Sequence, residues 1–217
     1  MRRREFTAFI AASALTGAAL AQSDDDGFPI EGRYHEVTPP QIPESPEGTI
    51  EVVDAFGYRC PHCYRLLPLL EQYKQEKPAD VHLRHLPVIF RQSWEAPARA
   101  FYTAQLLDVV DRVHRPIYEA LHVAGKPMNL DSDWRELFAA HGVTADKFDQ
   151  TFQSFAVESL LRKSVVMQGR YGVTGTPSII VNGKYRVAAG LAGSYENIIR
   201  ITRGLVKMER AAQMSSG

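Results

Sequence analysis

The chain has 217 residues, enough for one large domain or for a small domain carrying an insertion. Apolar residues make up 45%, with ten Phe and nine Tyr, so the side chains for a proper core are present and disorder is expected only at the ends. Lys plus Arg and Asp plus Glu number 25 each. A formal net charge of zero argues against nucleic acid as the main partner, because phosphate binding needs an excess of basic groups, and it leaves protein partners open.

The first residues read as an address. "MRRREF" is a basic segment, "TAFIAASALTGAAL" is a modest apolar stretch, and Ala19-Leu20-Ala21 is a small-x-small cleavage signal. The apolar stretch falls well short of the roughly 20 residues that span a bilayer, which disfavours a retained anchor helix. Residues 1–21 are therefore expected to be a signal peptide cleaved near Ala21, leaving an exported chain that starts near Gln22. Arg3-Arg4-Glu5-Phe6 resembles the centre of a twin-arginine signal but lacks the usual preceding Ser or Thr, so the export route stays open. The segment holds no cysteine, which excludes lipid attachment of the lipoprotein type.

Residues 22–48 begin acidic and turn rich in Pro and Gly, an extended leader in which 34–37 form an edge strand ended by Pro39-Pro40. "TIEVVDAF" (49–56) is a β-branched run consistent with a buried strand. From Cys60 to Glu76 the period becomes helical, with Leu66, Leu67, Leu69, Leu70 and Tyr73 as an apolar stripe. "DVHLRHLPVIF" (80–90) returns to a strand pattern, and 94–172 carry apolar residues at helical spacing almost throughout. Within that block Asp131 and Thr144 are the expected N-caps, and Trp94, Trp134 and the aromatics of 98–152 are expected core. After Gly175, "TPSIIV" and "YRVAAG" flank Asn182-Gly183, a strong hairpin signal, and 194–212 close the chain as an amphipathic helix. A strand–helix–strand start and a hairpin–helix finish can share one mixed sheet, with 94–172 inserted as a separate helical layer.

Only two cysteines occur, Cys60 and Cys63, in "CPHC". A structural staple is the weakest reading of them, because a bridge enclosing two residues removes little chain entropy. A closed zinc site needs four ligands, and no second Cys pair exists, although His82 and His85 come near a ligand spacing. Redox chemistry fits best. Cys60 opens a helix, where free backbone N–H groups and the positive end of the dipole stabilise a thiolate. Pro61 suits the first helical turn, which needs no N–H. His62 would stabilise the thiolate further through its ring. Cys63 lies one turn on, placed to form or resolve a disulfide with Cys60.

Cys60-Pro61-His62-Cys63 after "VVDAFGYR", with "GTPSIIVNGKY" far downstream, resembles the DsbA family of exported thiol–disulfide oxidoreductases across nearly all of the mature chain. The resemblance implies an α/β thioredoxin fold with a mixed central sheet, formed by 49–93 and 173–213, and an inserted all-helical domain at 94–172. A depressed cysteine pKa and a strongly oxidising disulfide are the family's own known properties and are implied here in the same way. Thr176-Pro177 should be a cis pair beside the cysteines, with the backbone of Thr176 available to a substrate strand. Family oxidases often carry Val where this chain has Thr176, and isomerase branches often carry Thr.

Asp54 interrupts the apolar run six residues before Cys60. A carboxylate buried there is costly unless paired or protonated, and its position matches the acidic residue that relays protons beneath the family's active site. The family's basic partner on the next strand corresponds to His85. The resemblance further implies a monomer in the periplasm. It would donate its Cys60-Cys63 disulfide to reduced, folding cysteine-containing polypeptides and be reoxidised by a membrane quinone-linked partner of the DsbB kind, with no organic cofactor or metal. Two rivals stand beside this reading. One is a reductase or isomerase, mildly favoured by Thr176, although no separate dimerisation domain precedes the thioredoxin segment. The other is a peptide-binding holdase in which the cysteines are incidental.

Overall fold

The computed structural model describes residues 24 and 27–216, so the expected signal peptide and its cleavage point near Ala21 lie outside the described residues. Five strands form one mixed sheet in the order β1-β5-β4-β2-β3. They are β1 (His35–Glu36), β2 (Ile50–Phe56), β3 (Val81–Pro87), β4 (Ser178–Val181) and β5 (Tyr185–Ala188). β2 runs parallel to β3 and antiparallel to β4, β4 and β5 form the expected hairpin, and β1 closes the far edge against β5. All seven residues of β2 are buried, as a central strand with packed layers on both faces of the sheet requires. Both hairpin-turn residues have positive φ, 49° at Asn182 and 67° at Gly183. A side chain at Gly183 would also strike the backbone of Gln41.

Helix α1 (Pro61–Glu76) links β2 to β3, and α2 (Glu95–Leu106), α3 (Val110–His122), α4 (Asp131–Ala140), α5 (Ala145–Phe152) and α6 (Phe155–Arg170) follow before the chain returns to β4. The short α7 (Ala189–Ala192) and the long α8 (Tyr195–Ser216) finish the fold. α8 extends four residues past the expected end. Alternation along β2 divides the core in two. Ile50 and Val52 join Leu66 and Leu70 of α1 and Ile198, Ile201 and Leu205 of α8. Val53 and Ala55 join a cluster built largely from the helical block, including Phe101, Ile117, Trp134 and Phe148. The tryptophans and aromatics of that block are core, as their spacing predicts.

Thr144 caps α5 through its side chain, which accepts from the Lys147 N–H. Asp131 does not cap α4. It is the first helical residue after Leu130, and the carboxylate of Asp133 reaches back to accept the Leu130 N–H at 3.0 Å. Two acidic residues within one turn compete for the same orphan donors, and the one a full turn inside has the better reach.

Candidate active site

β2 delivers the chain into a short loop, Gly57 to Arg59, before α1. Gly57 has no room for a side chain, since a Cβ there would lie 2.2 Å from the Trp94 ring. Tyr58 is buried, and its carbonyl accepts from His122 Nε2 at 2.7 Å. Its hydroxyl shares a 2.8 Å hydrogen bond with His114 Nδ1. Arg59 donates to the carbonyls of Ser93 (2.8 Å), Pro127 (2.9 Å) and Met128 (3.3 Å) and to the side chain of Asn129 (3.2 Å). The loop is thus held to the helical block from both sides directly before the cysteines.

Cys60 is the N-cap of α1, extended at φ −90°, ψ 114°, and Pro61 follows in the first turn. Here a sulfur occupies the place that a capping oxygen takes elsewhere. The Cys60 thiol is lowered to about 5, first by a hydrogen bond from the Cys63 side chain. Burial opposes this, while the Thr176 side chain and the backbone N–H groups of Cys63 and His62 add to it. Cys63 moves the other way. It is buried, and burial raises its thiol well above the ordinary range, helped by the interaction with Cys60 and by the negative charge of Asp54. One sulfur is a ready anion and its neighbour a stubborn thiol.

The remaining expected residues converge on this pair. Thr176-Pro177 is a cis peptide, and the Thr176 carbonyl lies 3.4 Å from Cys60 Sγ, across 116 residues of sequence. Asp54 is buried in mid-strand on β2, opposite His85 of β3, whose Nδ1 lies 3.0 Å from Asp54 Oδ2. Among the described residues, Asp54 Oδ1 is buried without a hydrogen-bond partner. His62 departs from expectation. Its exposed ring bonds the Tyr195 hydroxyl at 2.8 Å, and what it offers the Cys60 sulfur is its backbone N–H.

Sequence reasoning passed over Tyr58, Arg59, His114, His122 and Tyr195. Burial holds His114 neutral and the Tyr58 hydroxyl protonated. The His114 ring centroid stands 4.8 Å from that of His85, so an aromatic wall seals the Asp54 side of the site. Only Arg59, a cation directly before the first cysteine, carried a signal that could have been read from "GYRC".

The model of the DSBA-like thioredoxin domain matches residues 51–196. The thiol:disulfide interchange protein DsbA of Pseudomonas aeruginosa is 37% identical over 212 residues, covering 98% of this chain and 99% of that protein. Its counterpart from Azotobacter vinelandii is 33% identical, covering 98% of this chain and 100% of that protein. Among solved structures, Pseudomonas aeruginosa DsbA superposes with a TM-score of 0.80 at 36% identity, covering 84% of this chain and 94% of that one. The DsbA oxidoreductase of Xylella fastidiosa gives 0.77 at 34% identity, covering 82% and 96%.

Proposed function

The chain belongs to the DsbA-like thioredoxin-domain family and is a protein thiol–disulfide oxidoreductase, and from that premise we propose how its residues divide the work. A thiolate of a reduced, exported polypeptide attacks the Cys60 sulfur of the Cys60-Cys63 disulfide. The Cys60–Cys63 bond breaks, a mixed disulfide forms at Cys60, and Cys63 leaves as a thiolate. That anion is disfavoured by burial and by Asp54, so it takes up a proton, which Asp54 relays directly or through one water. The substrate's second thiolate then attacks the substrate sulfur of the mixed disulfide and expels Cys60, whose lowered pKa makes it a good leaving group. The substrate leaves with a new disulfide and the protein leaves as a dithiol.

The observation that carries this reading is the opposite displacement of the two thiols, Cys60 down to about 5 and Cys63 up. A dithiol stabilised as a thiolate implies an oxidising disulfide. Pro61 and Pro177 shape the site, the Thr176 backbone offers the substrate an edge to pair with, and His85 holds Asp54 in place. Division into a thioredoxin-like domain (49–93 and 173–213) and an inserted helical domain (94–172) belongs to the same proposal. So do export to the periplasm after cleavage near Ala21, action as a monomer, and reoxidation by a membrane quinone-linked partner of the DsbB kind. Among the described residues no helix is long and apolar enough to cross a membrane.

The test is the reduction potential of the Cys60-Cys63 couple against glutathione, together with a Cys60→Ser variant. A potential well above the thioredoxin value of about −270 mV is expected; a value near it would instead make the protein a reductase or isomerase, the rival that Thr176 favours. The variant is expected to lose all oxidation of reduced peptides. Failure of the native protein to oxidise the peptides, with suppression of aggregation undiminished in Cys60→Ser, would leave only the holdase reading.

A further inference from the structure

Beyond the thiols, residues of α1, α3, α4 and the segment joining α3 to α4 line a cleft of about 450 Å³. Its apolar lining comes from Tyr64 of α1, Ala120 and Val123 at the end of α3, Leu137 and Ala140 of α4, and Met128 between them. Val123 is exposed to 70%, far more than a core valine tolerates. The polar part of the lining has one dominant sign. Glu119, Asp133 and Glu136 bring three carboxylates against the single ammonium of Lys126. Glu136 is exposed, Glu119 reaches Arg115 only at 3.9 Å, and Asp133 is engaged by a backbone N–H.

The cleft is wired to the active site. Tyr64 is the residue after Cys63, and its ring stacks on His122 with centroids 5.2 Å apart and planes 8° from parallel. His122 in turn holds the Tyr58 carbonyl. Arg59 grips the carbonyls of Pro127 and Met128, the latter in the cleft lining. Both links end on the two residues that precede Cys60.

We propose that this cleft docks the substrate polypeptide, taking a short unfolded segment with apolar side chains flanked by Lys or Arg close to the cysteine being oxidised. The inference rests on the oxidoreductase reading and adds to it a class of preferred substrate. Apolar side chains would fill the lining, and flanking cations would meet the carboxylates, where complementary charge selects partners and speeds encounter.

Two measurements test it. In the first, the reduced protein is titrated with a cysteine-free peptide, Lys-Leu-Gly-Phe-Lys, and with its Glu-flanked counterpart, and followed by amide NMR. The basic peptide is expected to shift the amides of Tyr64, Ala120 and Leu137, and the acidic one to leave them unmoved. In the second, cysteine-containing versions of both peptides are oxidised by the native protein and by a Glu119→Lys, Glu136→Lys variant. The ratio of kcat/KM for the basic over the acidic peptide should fall about tenfold in the variant, mainly through KM. Equal shifts for both peptides, shifts elsewhere only, or an unchanged ratio would overturn the proposal. Cleft shifts that follow protein concentration without peptide would also overturn it, by making the cleft a contact between copies. The cysteine-free titration involves no redox step, so a failure to oxidise dithiothreitol would strike the oxidase reading alone.

Discussion

Strands β2 and β3 carry two acid–base pairs only three residues apart, and they are built to opposite specifications. Glu51 with Arg84 and Asp54 with His85 are matched in burial: the carboxylates are 0% and 3% exposed and their partners 19% and 20%. They differ in what surrounds the charge. Glu51 accepts from Arg84 Nε at 2.8 Å, from Arg84 Nη2 at 3.4 Å and from the Glu44 N–H at 2.9 Å, while Arg84 also donates to the Tyr171 hydroxyl at 3.0 Å. Among the described residues Asp54 has one hydrogen-bond partner, and its second oxygen is buried with none. Evenly matched desolvation makes the satisfied pair a fixture of the fold and leaves the other a buried carboxylate with fewer hydrogen bonds to hold it. Glu51 lies on the alternate side of β2 from Asp54, towards α6, where Tyr171 closes the network. The position next to the thiols went to the pair with fewer hydrogen bonds.

The largest expected effect tests the satisfied pair. Glu51→Ala strands the Arg84 guanidinium, which stays charged, in a largely buried place, and should cost about 3–5 kcal/mol in urea unfolding of the oxidised protein. A loss below about 1 kcal/mol would remove the distinction between the two pairs. Asp54→Leu should change stability in the other direction, from neutral to about 1–3 kcal/mol more stable, because it removes a poorly compensated buried charge. Function should pay for that gain. Reduction of the Cys60-Cys63 disulfide by a dithiol peptide at neutral pH is expected to slow about tenfold or more without the relay. Stopped-flow fluorescence against the native protein checks the rate, and an unaltered rate would remove Asp54 from the mechanism.

How far these pairs were legible in sequence follows from range. Asp54 announced itself as a charge inside "VVDAF", the family resemblance pointed to His85 on the next strand, and the register sets the two opposite each other. Cys60, Pro61 and Cys63 needed only helix-terminus physics, and the Asn182-Gly183 turn only local φ preferences. Glu51 sits in the same strand and drew no notice, because its partners, Glu44, Arg84 and through it Tyr171, come from three separate segments. The His62 ring was misread for the same reason. Its partner, Tyr195, is 133 residues away, and nothing near "CPHC" hints at it. Asp131 failed differently, since two acids in one turn satisfy the capping pattern equally well and only geometry chooses Asp133. Local chemistry is readable from spacing; the completeness of a buried polar group's partners is a property of the folded whole.

The smallest expected signal is a difference between two limbs of one pH profile, the stability of the dithiol form minus that of the disulfide form. Cys60 is depressed to about 5 in the folded dithiol protein. Its contribution is therefore complete above the unfolded thiol value of about 8.5 and drains away as pH falls through about 5. Cys63 is raised, so above about 8.5 the unfolded chain loses its proton while the folded chain keeps it, and stability falls again as pH rises. The carboxylate of Asp54 is among the causes that raise Cys63, whereas Cys60 owes its shift to hydrogen bonds from Cys63, Thr176 and the helix backbone. Asp54→Leu should therefore flatten the alkaline limb and move the acidic limb by less than about half a pH unit, since a charge aimed at one sulfur is screened at the other. Glu51→Ala should lower both redox forms together and leave the shape of the difference intact. Paired urea titrations of the dithiol and disulfide forms between pH 4 and 10, spanning about one pH unit either side of the window, would resolve this. An Asp54→Leu profile altered on its acidic limb instead would mean that the carboxylate acts on the nucleophile, and the two pairs on β2 and β3 would then differ in target as well as in satisfaction.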